Sequence, residues 1–332
     1  MGRLLDYLQL IRLPQWIKNV FVFFALVFST KRSDPAALLL AVTAFLAFSL
    51  LASAVYCFND IRDRREDALH PTKCRRPIAR GAISPGAAGV FCALLLAGGL
   101  SLSTRLGPAF LTTAATYLLL NLFYTLGLKK VALLDVIIVA VGFVLRALGG
   151  AQAITVEVSA WLVICTFTLC LFLGFGKRRC EIAMLSDAGA AAAHRASLAQ
   201  YTPDLLNHLL STTAVLAVMT FLLYTLDSHT AREFRALFFT TPLVLYAVFR
   251  YAMVIERGER TGPSDILIGD KPFAITCAVW TLLALAIVFK GPTIERYLPV
   301  LRWPGAAVDD DAGATSRPAG APLSDSAARQ SP

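Results

Sequence analysis

The chain reads as an all-α integral membrane protein with nine transmembrane helices, and three observations predict this. Hydrophobic residues are 57% of the 332 and charged residues only 16%, with a mean hydropathy of +0.64, which is too apolar for a soluble domain of that length. Apolar runs close to the bilayer-spanning length of about 20 residues recur along the chain. Lys and Arg collect in alternate connections between those runs, the pattern left when short basic loops stay on the cytoplasmic side.

Taken in order, the runs cover about residues 15–30, 36–57, 84–104, 108–126, 131–155, 159–176, 208–227, 236–255 and 272–290. The first follows Arg12 and the turn Pro14-Gln15-Trp16 without a small-residue cleavage site, so it is expected to remain as an anchor. With the amino terminus inside, the outer loops hold only Lys31, Arg32, Arg105, Arg232 and Arg235, and most of the 31 Lys and Arg fall on the inner loops. Nine spans then put the carboxyl terminus outside. Residues 1–304 read as one transmembrane domain, because no polar linker is long enough to separate two. Residues 305–332, rich in Ala, Pro, Ser, Gly and Asp, cannot bury enough surface to order themselves and are expected to be a disordered tail.

The net charge of +9 fits membrane topology and an anionic lipid or substrate. No nucleic-acid-binding module is present. The seven cysteines lie mostly within the runs, with no C-x-x-C pair, and read as small apolar packing residues. No Ser–His–Asp set, phosphate-binding P-loop or dinucleotide fingerprint occurs, and His70, His194, His208 and His229 form no convincing ligand set.

Chemistry concentrates on the inner loops. After the second run comes Asn59-Asp60-Ile61-Arg62-Asp63-Arg64-Arg65-Glu66-Asp67, then His70-Pro71-Thr72-Lys73-Cys74-Arg75-Arg76-Pro77. On one continuous helix Asn59, Asp63 and Asp67 stand at i, i+4 and i+8, with Asp60 beside them, so all four share about a third of the circumference. Such hard oxygen donors suit Mg²⁺, which is commonly shared with substrate phosphates. A metal there would neutralise a diphosphate leaving group. Asp63 and Asn59, with Lys73 and Arg76 as phosphate-binding cations, form the expected catalytic set. The plain alternative is a solvated acidic helix end amid topogenic charge.

Further along, Lys177 and Arg178 with Glu181 at i+4 and i+3 form either a surface salt bridge or a second phosphate subsite. Lys18, Tyr124 and Lys129 or Lys130 are further candidates for anion or ring contacts. Asp135 and Arg146 are ionisable residues within the fifth run, which in a membrane raises a functional hypothesis. Asp135 stands near enough to the inner interface to reach the site, and Arg146, deeper, reads as a tie between helices.

The segment from Asn59 to Asp67 resembles the UbiA superfamily of intramembrane prenyltransferases, whose mark is N-D-x-x-D-x-x-x-D after the second of nine helices. Within that superfamily the chain is most similar to the decaprenyl-phosphate phosphoribosyltransferases, through Arg12 to Asn19, Asn59 to Pro77, Leu134 to Ala147, and Gly176-Lys177-Arg178 with Glu181. The resemblance implies a helical ring around a central cavity, with Mg²⁺ and diphosphate at its cytoplasmic mouth. It also implies transfer of 5-phosphoribose from 5-phosphoribosyl 1-diphosphate to a polyprenyl phosphate in the cytoplasmic membrane, feeding arabinose donors for cell-wall polymers. Members that prenylate aromatic rings usually carry a second motif, D-x-x-x-D, after helix 6. Lys177-Arg178-Arg179-Cys180-Glu181 stands there instead, which turns the expectation toward a donor with more phosphate oxygens. Prenyl transfer to an aromatic acceptor is the rival enzyme reading, a transporter or lipid-binding protein is the non-enzyme one, and the oligomeric state is left open.

Overall fold

A computed structural model describes residues 2–69, 73–184, 197–227, 234–258 and 262–297. Its helices are α1 (Gly2–Ile11), α2 (Phe24–Val27), α3 (Pro35–Arg62), α4 (Arg64–Leu69), α5 (Pro85–Arg105), α6 (Pro108–Leu126), α7 (Leu134–Ala153), α8 (Ala160–Ala183), α9 (Pro203–Asp227), α10 (Thr241–Glu256), α11 (Pro263–Gly269) and α12 (Lys271–Tyr297). Among the described residues nine segments are long and apolar enough to cross a membrane, one for each predicted run. The tail expected at 305–332, together with His70, Pro71, His194 and His229, lies outside the described residues.

Proline and short polar caps set the starts. Asp34 accepts a hydrogen bond from the Ala36 N–H (2.9 Å) with Pro35 at the first helical position of α3, and Ser84 caps α5 ahead of Pro85 in the same way. The first span differs from the expectation of one helix over 15–30. The spanning segment is Leu4–Val27 and is built in pieces: α1, a 3₁₀ helix over Leu13–Phe23, then α2. Arg12 makes the joint, in the left-handed region (φ 56°, ψ 51°), which costs a non-glycine residue about 1–2 kcal/mol.

The 3₁₀ helix survives because its neighbours bind it. Trp16 Nε1 donates to Ser53 Oγ (3.1 Å) and Asn19 Nδ2 to Ser49 Oγ (2.9 Å), both on α3. On α7, Gly150 clears the way, since a Cβ there would lie 1.9 Å from the Val22 carbonyl oxygen. Helix α7 is the most enclosed span, with 67% of its core window buried. It packs against the 3₁₀ helix, α2, α3, α6 and α8. Helices α8, α9, α10 and α12 follow by pairwise packing. The ring then closes on itself, because Val27 and Phe28 of the first span pack into the cluster of Phe234, Leu237, Ala284 and Ile287.

Candidate active site

The carboxyl ends of α3, α6 and α8 and the start of α7 bring the polar side chains of the chain to one face of the ring. Helix α3 stops at Asp63, whose backbone (φ −85°, ψ 6°) has left the helical region, and the chain restarts as α4. The expected single stripe of Asn59, Asp60, Asp63 and Asp67 is therefore broken at its third member. Asp60 and Asp67, both buried, are drawn together by one nitrogen of Arg76, which lies 3.1 Å from Asp60 Oδ1 and 2.6 Å from Asp67 Oδ2. Asp63 turns away to Lys129 Nζ (2.9 Å). Asn59 Oδ1 accepts from the Thr125 hydroxyl (2.6 Å) at the end of α6. The helix break separates Asp63 from the other expected ligands, and among the described residues no group of three His, Cys, Asp or Glu side chains stands ready to hold a metal.

A cavity of about 360 Å³ opens at Asp60 and is lined by Gln9, Arg12, Lys73, Arg75, Arg76 and Pro77. Four cations against one carboxylate make it a receptor for a polyanion, since Arg offers a planar fork and Lys a point charge to phosphate oxygens. Arg12 joins by an ion pair to Asp60 (2.5 Å) and stands over the Tyr56 ring at 4.8 Å, contacts that stabilise its left-handed backbone. Neither Arg12, Gln9 nor Arg75 stood among the site residues expected from sequence. The usable signal was that Asp60, at the end of an apolar helix, needs a cation from another inner segment, and Arg12 opens one of the resembling segments.

The donor set does fit Mg²⁺ in the mode where one or two carboxylates combine with substrate phosphates. Asp60 and Asp67 are the pair already held within reach of a single cation, and Asn59 is the neighbouring amide oxygen.

The second expected subsite is built differently. Arg178 is buried, with Nε 2.8 Å from Asp135 Oδ2 and Nη1 bonded to Glu181. Asp135 also accepts from Ser197 Oγ (3.1 Å) and Tyr201 Oη (2.8 Å), and Tyr201 Oη accepts from the Leu133 N–H (2.6 Å). Arg178 and Glu181, expected at substrate, thus spend their polar groups inside the protein, as does Asp135. Burial, and then the hydrogen bond to Asp135, push the Tyr201 hydroxyl up from its ordinary value. Lys177 is half-exposed, 3.9 Å from Glu181, and Tyr124 is half-buried within electrostatic reach of Arg178. Lys18 belongs to neither group and sits on the 3₁₀ helix of the first span.

Comparison with known proteins bears on this arrangement. The UbiA prenyltransferase family matches residues 19–268. The decaprenyl-phosphate phosphoribosyltransferase of Corynebacterium glutamicum is 31% identical over 291 residues, covering 86% of this chain and 87% of that protein. Its namesake from Mycolicibacterium smegmatis is 32% identical over 296 residues, covering 85% and 92%. Among solved structures, a UbiA homologue from Archaeoglobus fulgidus bound to GPP and Mg²⁺ has the same fold, with a TM-score of 0.64 at 20% identity over 85% of this chain and 99% of that one. With nine candidate spans closed into a ring, a polyanion pocket at one mouth and this match over most of its length, the chain is a multi-pass membrane protein that belongs to the UbiA prenyltransferase family.

Proposed function

We propose that this protein transfers 5-phosphoribose from 5-phosphoribosyl 1-diphosphate to a polyprenyl phosphate, with the pocket on the cytoplasmic side of the cell membrane and the amino terminus inside. The observation that carries the reading is the four-cation pocket around Asp60, which is built for a donor rich in phosphate oxygens. The two phosphoribosyltransferases similar over most of the chain support the same chemistry, and the basic inner loops support the orientation.

In this reading Lys73, Arg75 and Arg76 grip the diphosphate from the solvent side, and Arg12 steadies Asp60 at the pocket base. Asp60 and Asp67, with Asn59, would hold Mg²⁺, which when bound supplies charge neutralisation to the departing diphosphate. Lys129 holds Asp63 at the edge of the site, and Lys177 and Tyr124 would contact the donor's 5-phosphate. A phosphate oxygen of the lipid acceptor forms the new bond to the anomeric carbon. The bond from that carbon to diphosphate breaks, and its electron pair leaves with diphosphate. The acceptor is anionic near neutral pH, so no proton has to be removed from it.

The rival, transfer of a prenyl group from a prenyl diphosphate, draws on the structural neighbour bound to GPP. Purified protein with Mg²⁺, labelled phosphoribosyl diphosphate and polyprenyl phosphate separates the two. A labelled phosphodiester lipid, absent after chelation, is expected. Prenylation of an aromatic acid with no labelled lipid would overturn the assignment.

A further inference from the structure

The 3₁₀ helix Leu13–Phe23 has three residues per turn, so every third side chain shares a face. One face, Trp16, Asn19 and Val22, is the one bound to α3 and α7. A second carries Ile17 (70% exposed) and Val20 (38%) toward the bilayer. The third carries Gln15, Lys18 and Phe21, with Arg12 of the pocket at its head. Phe21 meets Phe143 of α7 at 4.9 Å between ring centres, and Arg146 stands over that same Phe143 ring at 5.3 Å.

Arg146 is 6% exposed and all its contacts are neutral. Nε donates to Asn19 Oδ1 (2.7 Å), Nη1 to the Gly142 carbonyl (2.7 Å) and Nη2 to the Tyr117 hydroxyl (2.9 Å), with the Tyr117 ring 4.7 Å from the guanidinium. No carboxylate pairs with it among the described residues. Lys18 lies within electrostatic reach of both Arg146 and Arg12 and has no hydrogen bond or ion pair among the described residues. Arg12 is compensated by Asp60. Lys18 and Arg146 therefore leave two positive charges inside the spans Leu4–Val27 and Leu134–Ala153 with no counter-charge, an arrangement that a low-dielectric interior strongly disfavours.

We infer that Lys18, with Arg146 behind it, is the binding site for the phosphate of the lipid acceptor, separate from the diphosphate pocket. A phosphomonoester carries about −1.5 to −2 charges near neutral pH, which matches the two missing negatives. The site lies five residues into the helix from Leu13, about 10 Å at 2.0 Å per residue. At that depth an anion needs an apolar tail, and the bilayer-facing Ile17 and Val20 border the route such a tail would take. Arg146 is a positioning residue, locked by Asn19 and Tyr117, and Lys18 makes the contact. The identity of the lipid rests on the phosphoribosyl-transfer reading; the presence of an anion site does not.

Full-length protein in nanodiscs, exposed to decaprenyl phosphate or decaprenol and read by native mass spectrometry, tests this. The unaltered protein is expected to retain the phosphate over the alcohol by tenfold or more. Lys18→Met should lower phosphate retention about tenfold and leave the alcohol unchanged, with Lys18→Arg restoring most of it. In turnover, Lys18→Met should raise KM for the lipid about tenfold and leave KM for phosphoribosyl diphosphate within about twofold. Unchanged lipid retention, or a shift in the donor KM instead, overturns the inference. Displacement of the lipid by inorganic phosphate or ribose 5-phosphate at equal concentration overturns the lipid identity. Lys18-dependent retention without phosphoribosyl transfer would keep this site and remove the functional reading; transfer with a normal lipid KM in Lys18→Met would do the reverse.

Discussion

Two acid–base clusters face the same side of the ring and look alike in sequence, yet one is a receptor and the other a clasp. At Asp60 the cations outnumber the carboxylate and surround a cavity of about 360 Å³. At Asp135 the acid is fully buried and takes hydrogen bonds from Ser197 and Tyr201, and the nearly buried Arg178 lies between two carboxylates, Asp135 and Glu181. The difference teaches that charge type alone does not make a ligand site. What matters is whether the cations retain capacity and space once the protein's own acids have been served.

The largest effect should come from breaking the clasp. Asp135→Ala leaves the buried Arg178 with Glu181 alone and strands Ser197 and Tyr201, and it is expected to cost about 3 kcal/mol of stability. Thermal unfolding in detergent measures it, and a variant as stable as the parent would remove the clasp assignment. At the receptor, Asp60→Asn is expected to slow transfer by about 10²–10³-fold, the range seen when one charge-stabilising group is lost. Single-turnover transfer at saturating substrate is the measurement, and a turnover within threefold of the parent would take Asp60 out of the site. Arg76→Lys replaces a fork that bridges Asp60 and Asp67 by a point charge and should raise KM for the donor about tenfold. A KM change confined to the lipid acceptor would contradict its place at the diphosphate.

The smallest effect is expected at Tyr201. Tyr201→Phe removes two hydrogen bonds, one to Asp135 and one from the Leu133 N–H, together worth about 1–2 kcal/mol. Because folding raises the affinity of this hydroxyl for its proton, the stability it adds is fully present below its unfolded value near 10 and is lost as pH climbs toward the higher folded value. Parent and variant melting curves should therefore be separated by a constant gap from pH 6 to 9 and converge above pH 10. A gap that widens with alkalinity would reverse the sign and refute the assignment.

Much of the site was legible because its signals are local. The spacing of Asn59, Asp60, Asp63 and Asp67 and the basic run that follows are consecutive in the chain, and the structure does bring Asp60, Asp67, Lys73 and Arg76 to one place. The stripe itself parts at Asp63, where α3 ends and the side chain pairs with Lys129, while Asp60 and Asp67 share Arg76. The ion pair of Arg178 was illegible for the opposite reason: its partner Asp135 is 43 positions away, and no local pattern announces it. Arg12 was missed as a site residue because its role depends on a left-handed turn that only the packing of α1 and the 3₁₀ helix imposes.

By itself the sequence determined the membrane class, nine apolar spans, the concentration of charge on one set of loops, and the acidic motif with its following cations. These are properties of composition and short-range spacing, which hold wherever the chain folds. Only the tertiary structure decided which of the charges neutralise one another. Pairing is a matter of distance in three dimensions, so it took the closed ring to leave Arg76 at a cavity, Arg178 sealed on Asp135, and Lys18 with Arg146 in the membrane without a carboxylate partner among the described residues.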